Sequence, residues 1–248
     1  MLVGDGILRG RARSAGMRPT LLVDHILIIR TLLLRLLRLK YMKRPAGFIM
    51  EFFRPTIICV LHYYTFTLID KATAPGIAME EFVWGGFVVW FVFSHICVGL
   101  GHHLPSRFPF PGVSAMHLRL AMATWSLLSN MAFLYISVII MIIFGDDVRF
   151  PSILVTTFVL LTAATMAFGW GILAEALCRA APILEPIFHF LPWLVFLTSG
   201  VYFSFESVPL EMAEIDIYNP LLHLIEYERS AFDPGYPVKL LSLSYPAF

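Results

Sequence analysis

The chain has 248 residues, of which 58% are hydrophobic and 14% charged, with a net charge of +1. An ordinary soluble domain carries about 25% charge, so this composition excludes one and points to an integral membrane protein. Cys59, Cys97 and Cys178 lie in or beside apolar runs with no C-x-x-C spacing. They read as small buried hydrophobes, not as a disulfide framework or zinc site.

Residues 1–19 form a basic, polar tail without a secretory leader pattern, and Met17 is a second possible start. Residues 20–44 predict an amphipathic helix lying on the membrane. Asp24, Thr31, Arg35 and Arg38 fall on one stripe of it, and Leu and Ile cover most of the rest. Arg30, Arg35 and Arg38 suit an anionic lipid surface.

Five apolar stretches follow, over about 46–69, 82–101, 117–144, 150–178 and 183–205. A helix needs about 20 mostly apolar residues to cross the hydrocarbon core, and lipid permits only helices or closed barrels. The fold class is therefore all-α. Glu51 and Arg54, three apart, are expected to pair at the mouth of the first stretch, and Pro55 to bend or restart its helix.

With the N-terminus placed in the cytoplasm, 14 of the 18 Lys and Arg fall on the inner side and 4 on the outer side. That bias is the orientation rule for membrane proteins. The inner loop 102–117 carries Pro105, Pro109 and Pro111, and a helix restarts near Met116. Asp146-Asp147 sits in a tight outer turn and reads as solvated. Residues 206–236 are amphipathic and punctuated by proline. They form an outer segment with short helical pieces at 210–217 and 221–232, and their apolar face predicts packing back onto the spans.

Catalytic signatures are absent. There is no P-loop motif, no H-E-x-x-H and no G-x-S-x-G. His102-His103 reads as a polar loop pair. Glu175 and Glu185 lie near the ends of apolar stretches, where snorkelling or local pairing accounts for them. His62, His95 and His189 read as helix–helix hydrogen-bond partners. Tyr63, Trp84, Trp90, Trp193 and Tyr202 suit interfacial belts or, alternatively, an aromatic-lined sugar path.

The order of parts then carries a resemblance. Trp193 is followed by Ser199-Gly200-Val201-Tyr202-Phe203 and Val208-Pro209. After them come Asn219-Pro220-Leu221, His223 and the Glu226/Arg229 pair. This arrangement resembles the membrane subunit of type-2 ABC exporters for polysaccharides, the capsule and O-antigen export permeases, over about residues 30–236. The resemblance implies a homodimer of permeases in the bacterial inner membrane, bound to a separate ATPase subunit that holds ATP and magnesium. This chain itself would have no cofactor, no metal and no enzymatic activity. Membrane lipids and a polysaccharide are the other expected partners, and nucleic acid is not one.

By the same resemblance 20–44 is the interface helix. Arg107, Phe108, His117 and Arg119 couple to the ATPase, and 206–236 holds outer gate helices. Tyr63, Trp84, Trp90, Trp193, Tyr202, Phe203, Glu226 and Arg229 are path or gate candidates. Glu226 and Arg229, three apart, share one helix face, so a charge swap is expected to restore part of what either single change loses. The family has a sixth span after the gate. Residues 237–248 are too few to cross a bilayer, so the chain reads as truncated there. The alternatives are a same-architecture permease for a drug or a teichoic-type polymer, and a membrane-embedded enzyme of the acyltransferase kind.

Overall fold

The computed structural model describes residues 21–41, 46–69, 76–101, 113–209, 214–236 and 238. Among them there are helices and turns but no strand. The expectations for residues 1–20, for Arg107, Phe108 and His102-His103, and for the tail from 239 onward fall outside the described residues.

Helix α1 is Leu21–Tyr41, α2 Ala46–Leu68, α3 Met79–Gly101, α4 Ala115–Phe144 and α5 Ile153–Ala180. A single 3-10 turn, Pro182–Leu184, leads into α6, Glu185–Leu197, and α7 is Pro220–Phe232. Three described helices are long and apolar enough to cross a membrane: Met79–Leu100, Ala115–Phe144 and Ile153–Ala180. The chain is an all-α, multi-pass membrane protein. Helix α2 has 23 residues and so the length to span, but Glu51, Arg54 and His62 dilute its apolar character.

Of the bend or restart expected at Pro55, the restart does not occur, since helix α2 runs through that residue. Side-chain hydroxyls bond back to carbonyls four residues up, Thr56 to Phe52 at 2.7 Å and Thr65 to Leu61 at 2.8 Å. The expected Glu51–Arg54 pair is replaced by bonds across the fold. Glu51 accepts from the Tyr41 hydroxyl of α1 and, at 2.9 Å, from Trp125 Nε1 of α4. The last apolar stretch also differs from its sequence reading. Its helix stops at Leu197, and residues 198–203 turn back. At about 1.5 Å per residue the 13 residues of α6 fall well short of the bilayer core.

Helix α3 is the central element. Every residue from Glu81 to Phe93 is buried, against α5 above all and also α7, α4 and α2. In lipid, helix association depends on close van der Waals packing, which small residues permit. Gly171 of α5 is such a point, since a Cβ there would lie 2.7 Å from Leu100 Cβ of α3. Gly85 and Gly86 form a notch on α3 against Phe232 and Arg229 of α7. The outward faces of α4 and α5 stay apolar, with Ile136, Ile139, Ile143, Leu154 and Leu161 exposed as lipid contacts.

Candidate functional site

Helix α7 begins with a sequence-encoded cap. Asn219 accepts from Leu221 N–H at 3.0 Å through its side chain, and Pro220 occupies the first turn, where its missing N–H costs nothing. The Asn219 amide also donates to Val195 O at 3.0 Å, fixing this cap to the end of α6. Residues 221–226 are all buried. At the other end, Ser152 N–H donates to Ala231 O at 2.8 Å, tying α7 to the start of α5.

Arg229 and Glu226 meet at 2.8 Å, and both side chains are buried to within 1%. The guanidinium has five N–H groups, and the structure gives five contacts for them. Nη2 donates to Gly200 O at 2.8 Å and to Val201 O at 3.3 Å. Nη1 donates to Glu226 Oε1 at 2.8 Å and to Phe203 O at 3.1 Å. Nε reaches Phe82 O at 3.4 Å, and the Phe82 ring lies 3.5 Å beneath the guanidinium carbon. The carboxylate is completed by Phe205 N–H at 3.3 Å and by the Tyr236 hydroxyl at 2.6 Å. Burial is the leading reason that the Tyr236 phenol is pushed up.

The Gly200–Phe203 turn is thus a cradle of carbonyls around one cation. Gly200 adopts φ +78, a conformation that suits glycine. A Cβ there would also lie 2.5 Å from Leu222 Cδ1. The two halves of the sequence pattern, separated by some twenty-five residues, are one physical object.

Aromatic residues pack beside it. Tyr202 meets Phe196, Phe66 and His62, with the Phe196 ring at 5.1 Å, and its hydroxyl donates to His62 Nε2 at 3.4 Å. Trp84 and Trp90 are buried within the bundle, whereas Trp193 is exposed on α6. Tyr63 is half-buried and sits against Tyr64. Phe203 contributes its carbonyl to the Arg229 cradle.

A second cluster closes the helix ends beside α7. Arg149 donates its backbone N–H to Glu81 Oε1 at 2.7 Å, and its guanidinium reaches Asp233 at 2.9 Å and Gly76 O. Asp146 and Asp147 stay exposed, as a solvated turn requires.

At the opposite end, His117 and Arg119 point inward. His117 closes a reciprocal cap with Ser114 at the start of α4. Ser114 N–H donates to its Nδ1 at 3.0 Å, so the ring proton sits on Nε2 and is given to His25 Nδ1 of α1 at 2.7 Å. Arg119 is paired with Glu175 of α5, which also holds Arg179. His117 and Arg119, expected to face an ATPase, are engaged inside the chain. Arg30, Arg35 and Arg38 lie along α1, whose Leu34 is exposed among them.

His95 bridges helices, to Asn130 of α4, while His62 reaches Tyr202 in the turn after α6. His189 lies 3.9 Å from Glu185, one turn away on α6. The sequence reading missed Glu81, Arg149, His25, Thr156 and Glu228. The one available hint was the density of charge at 226–229 inside an otherwise apolar helix. No group of three metal-ligating side chains occurs among the described residues.

The chain is 23% identical over 222 residues to the polysialic acid transport protein KpsM of Escherichia coli, covering 88% of this chain and 86% of that protein. A second Escherichia coli polysialic acid transport protein KpsM is 22% identical over the same span. The resemblance to polysaccharide-export permeases is borne out. No protein-family model matches the chain. These relatives are transport proteins by name, and the similarity covers most of the chain rather than one segment.

Proposed function

We propose that this chain is the membrane subunit of an ATP-driven exporter that moves a polysaccharide or lipid-linked glycan across the bacterial inner membrane. The observation that carries this is the similarity to a polysialic acid transport protein over 88% of the chain. The all-α membrane architecture is consistent with it. A drug or teichoic-type cargo and a membrane-embedded acyltransferase are less well supported.

The reading includes partners. Two copies form the path, the N-termini lie in the cytoplasm, and a separate ATPase with its ATP and magnesium docks on the inner side. Closure of the ATPase pair drives a rigid-body rearrangement of the helices. Arg107 and Phe108 on the inner loop are the coupling residues. Helix α1 lies along the inner membrane surface. The cradle around Arg229 holds α7 and the 200–205 turn as one outer gate.

The deciding experiment is purification of the tagged chain from its host membrane, with ATP-driven polysaccharide movement assayed in the reconstituted complex. Co-purification of a P-loop ATPase and ATP-dependent accumulation of glycan are expected. In that complex, Arg107→Ala with Phe108→Ala should keep ATP hydrolysis and lose export. A chain that purifies with no ATPase and moves no glycan overturns the reading.

A further inference from the structure

Glu228 lies on the face of α7 turned away from the Arg229 cradle and is 0% exposed. Its Oε1 accepts from the Thr156 hydroxyl of α5 at 2.8 Å. Its Oε2 is buried with no hydrogen-bond partner among the described residues. The Tyr135 hydroxyl of α4, near Thr156, is likewise buried without a partner among them. Helices α5 and α7 thus meet at one carboxyl that is left half satisfied, with a hydroxyl of α4 close by.

Among the described residues no cation answers it. On α7 itself, Arg229 is committed to Glu226 and to four carbonyls, and His223 donates to Ile217 O at 2.7 Å. From α3, Glu81 is bound to Arg149, whose other contacts are Asp233 and Gly76. From α4 and α5, Tyr135 and Thr156 bring only hydroxyls. An ionised carboxylate in such a place would keep one buried oxygen bare of donors, an expensive arrangement. The neutral acid needs less: Oε1 accepts the Thr156 hydrogen bond and Oε2 carries the acid's proton.

We infer that Glu228, with Thr156 and Tyr135, is a proton-binding site that holds α7 against α5, and that the helix loosens when this proton is lost. The ligand is the proton itself, and the site lies beside the cradle without sharing a contact with it.

The direction follows from linkage. Burial pushes the Glu228 carboxyl from its ordinary 4.5 up to about 8, against a smaller opposing effect of the Thr156 hydrogen bond. A docked α7 therefore keeps the proton that an opened α7 gives up. The contact is strongest in acid and weakens as pH rises between these two values. Over that window the opening constant grows about tenfold per pH unit, and it levels off once the docked form also ionises.

The test uses the full chain in lipid nanodiscs, without ATPase or cargo, so its failure leaves the proposed function standing. Infrared spectra of wild type and Glu228→Gln are compared at neutral pH. A protonated-carboxyl carbonyl band present in wild type and absent from the variant is expected. Hydrogen exchange of residues 220–232, corrected for intrinsic rates, should rise about tenfold per pH unit in wild type below about 8, and stay flat in Glu228→Gln. Thr156→Val removes the one donor to the ionised form. It should move the levelling-off to higher pH, and this variant decides the matter if Glu228→Gln does not accumulate. No band difference, equal pH dependence in wild type and Glu228→Gln, or a levelling-off unmoved by Thr156→Val would overturn the proposal.

Discussion

Arg229 donates to the carbonyl of Gly200 at 2.8 Å, and this contact joins two stretches of chain 29 residues apart. The turn after α6 presents carbonyls that no helix satisfies, and α7 supplies a cation with enough donors to satisfy them. Each part explains the residue type of the other. The turn needs glycine to aim its carbonyls inward, and the helix needs arginine because a lysine ammonium cannot serve five sites in a plane.

Arg229→Gln is expected to destabilise the protein by about 3–5 kcal/mol, because Glu226 is left charged and buried. Arg229→Lys should fall between wild type and Gln. The Glu226/Arg229 charge swap is expected to restore nothing, a revision of the sequence-based expectation. A carboxylate at 229 would face the carbonyls of Gly200, Val201 and Phe203 with no proton to give. Thermal unfolding in detergent, with membrane abundance as a second readout, checks all three. Recovery in the swapped protein would show that the pair acts by charge alone.

Gly200→Ala combines left-handed backbone strain with a collision against Leu222. The strain alone is worth about 1–3 kcal/mol. Gly169→Ala, where an added Cβ meets nothing within 4 Å, is the control and should leave stability unchanged or slightly raised. Equal melting temperatures for the two variants would contradict the cradle geometry.

Arg119 offers a way to separate an internal role from ATPase contact. If its work is to pair with Glu175, then Arg119→Ala, Glu175→Ala and the double variant will be non-additive. A coupling of about 0.5–3 kcal/mol is expected in the stability of the chain alone. Additive stability effects, with a loss of ATPase binding confined to Arg119→Ala, would return this residue to the docking surface.

His117 holds both the start of α4 and α1. His117→Ala removes the reciprocal half of the cap, the bond from Ser114 N–H to its ring, and also the 2.7 Å bond to His25. His25→Ala removes only the second. Limited proteolysis of α1 should therefore speed up in both variants, whereas exchange at the first turn of α4 should rise only in His117→Ala. Unchanged proteolysis in both would mean that α1 is held elsewhere.

Orientation is checked by single cysteines. Asp147 and Ile183 are both exposed, at opposite ends of α5, and the three native cysteines are buried. An impermeant thiol reagent applied to intact cells should label Asp147→Cys and spare Ile183→Cys. The reverse pattern would invert the topology.

The class of this protein was legible because hydropathy acts locally. A run of apolar residues must leave water wherever its neighbours go, so α3, α4 and α5 declare themselves in the sequence. The i,i+3 spacing of Glu226 and Arg229 was legible for the same reason, since helix geometry alone puts them on one face. Their burial was not. The apolar face of 206–236 predicted packing back onto the spans, but which of its charges turn inward was set only by its insertion beside Gly85 and Gly86 of α3. Glu228 shows this most sharply. Its partner Thr156 is 72 residues away, and no period or motif links the two. The sequence by itself determined a helical membrane protein, and its 199–229 region carries the resemblance to polysaccharide-export permeases. The tertiary structure decided which charges are interior, because desolvation and hydrogen-bond partnership are properties of the packed neighbourhood and not of the residue.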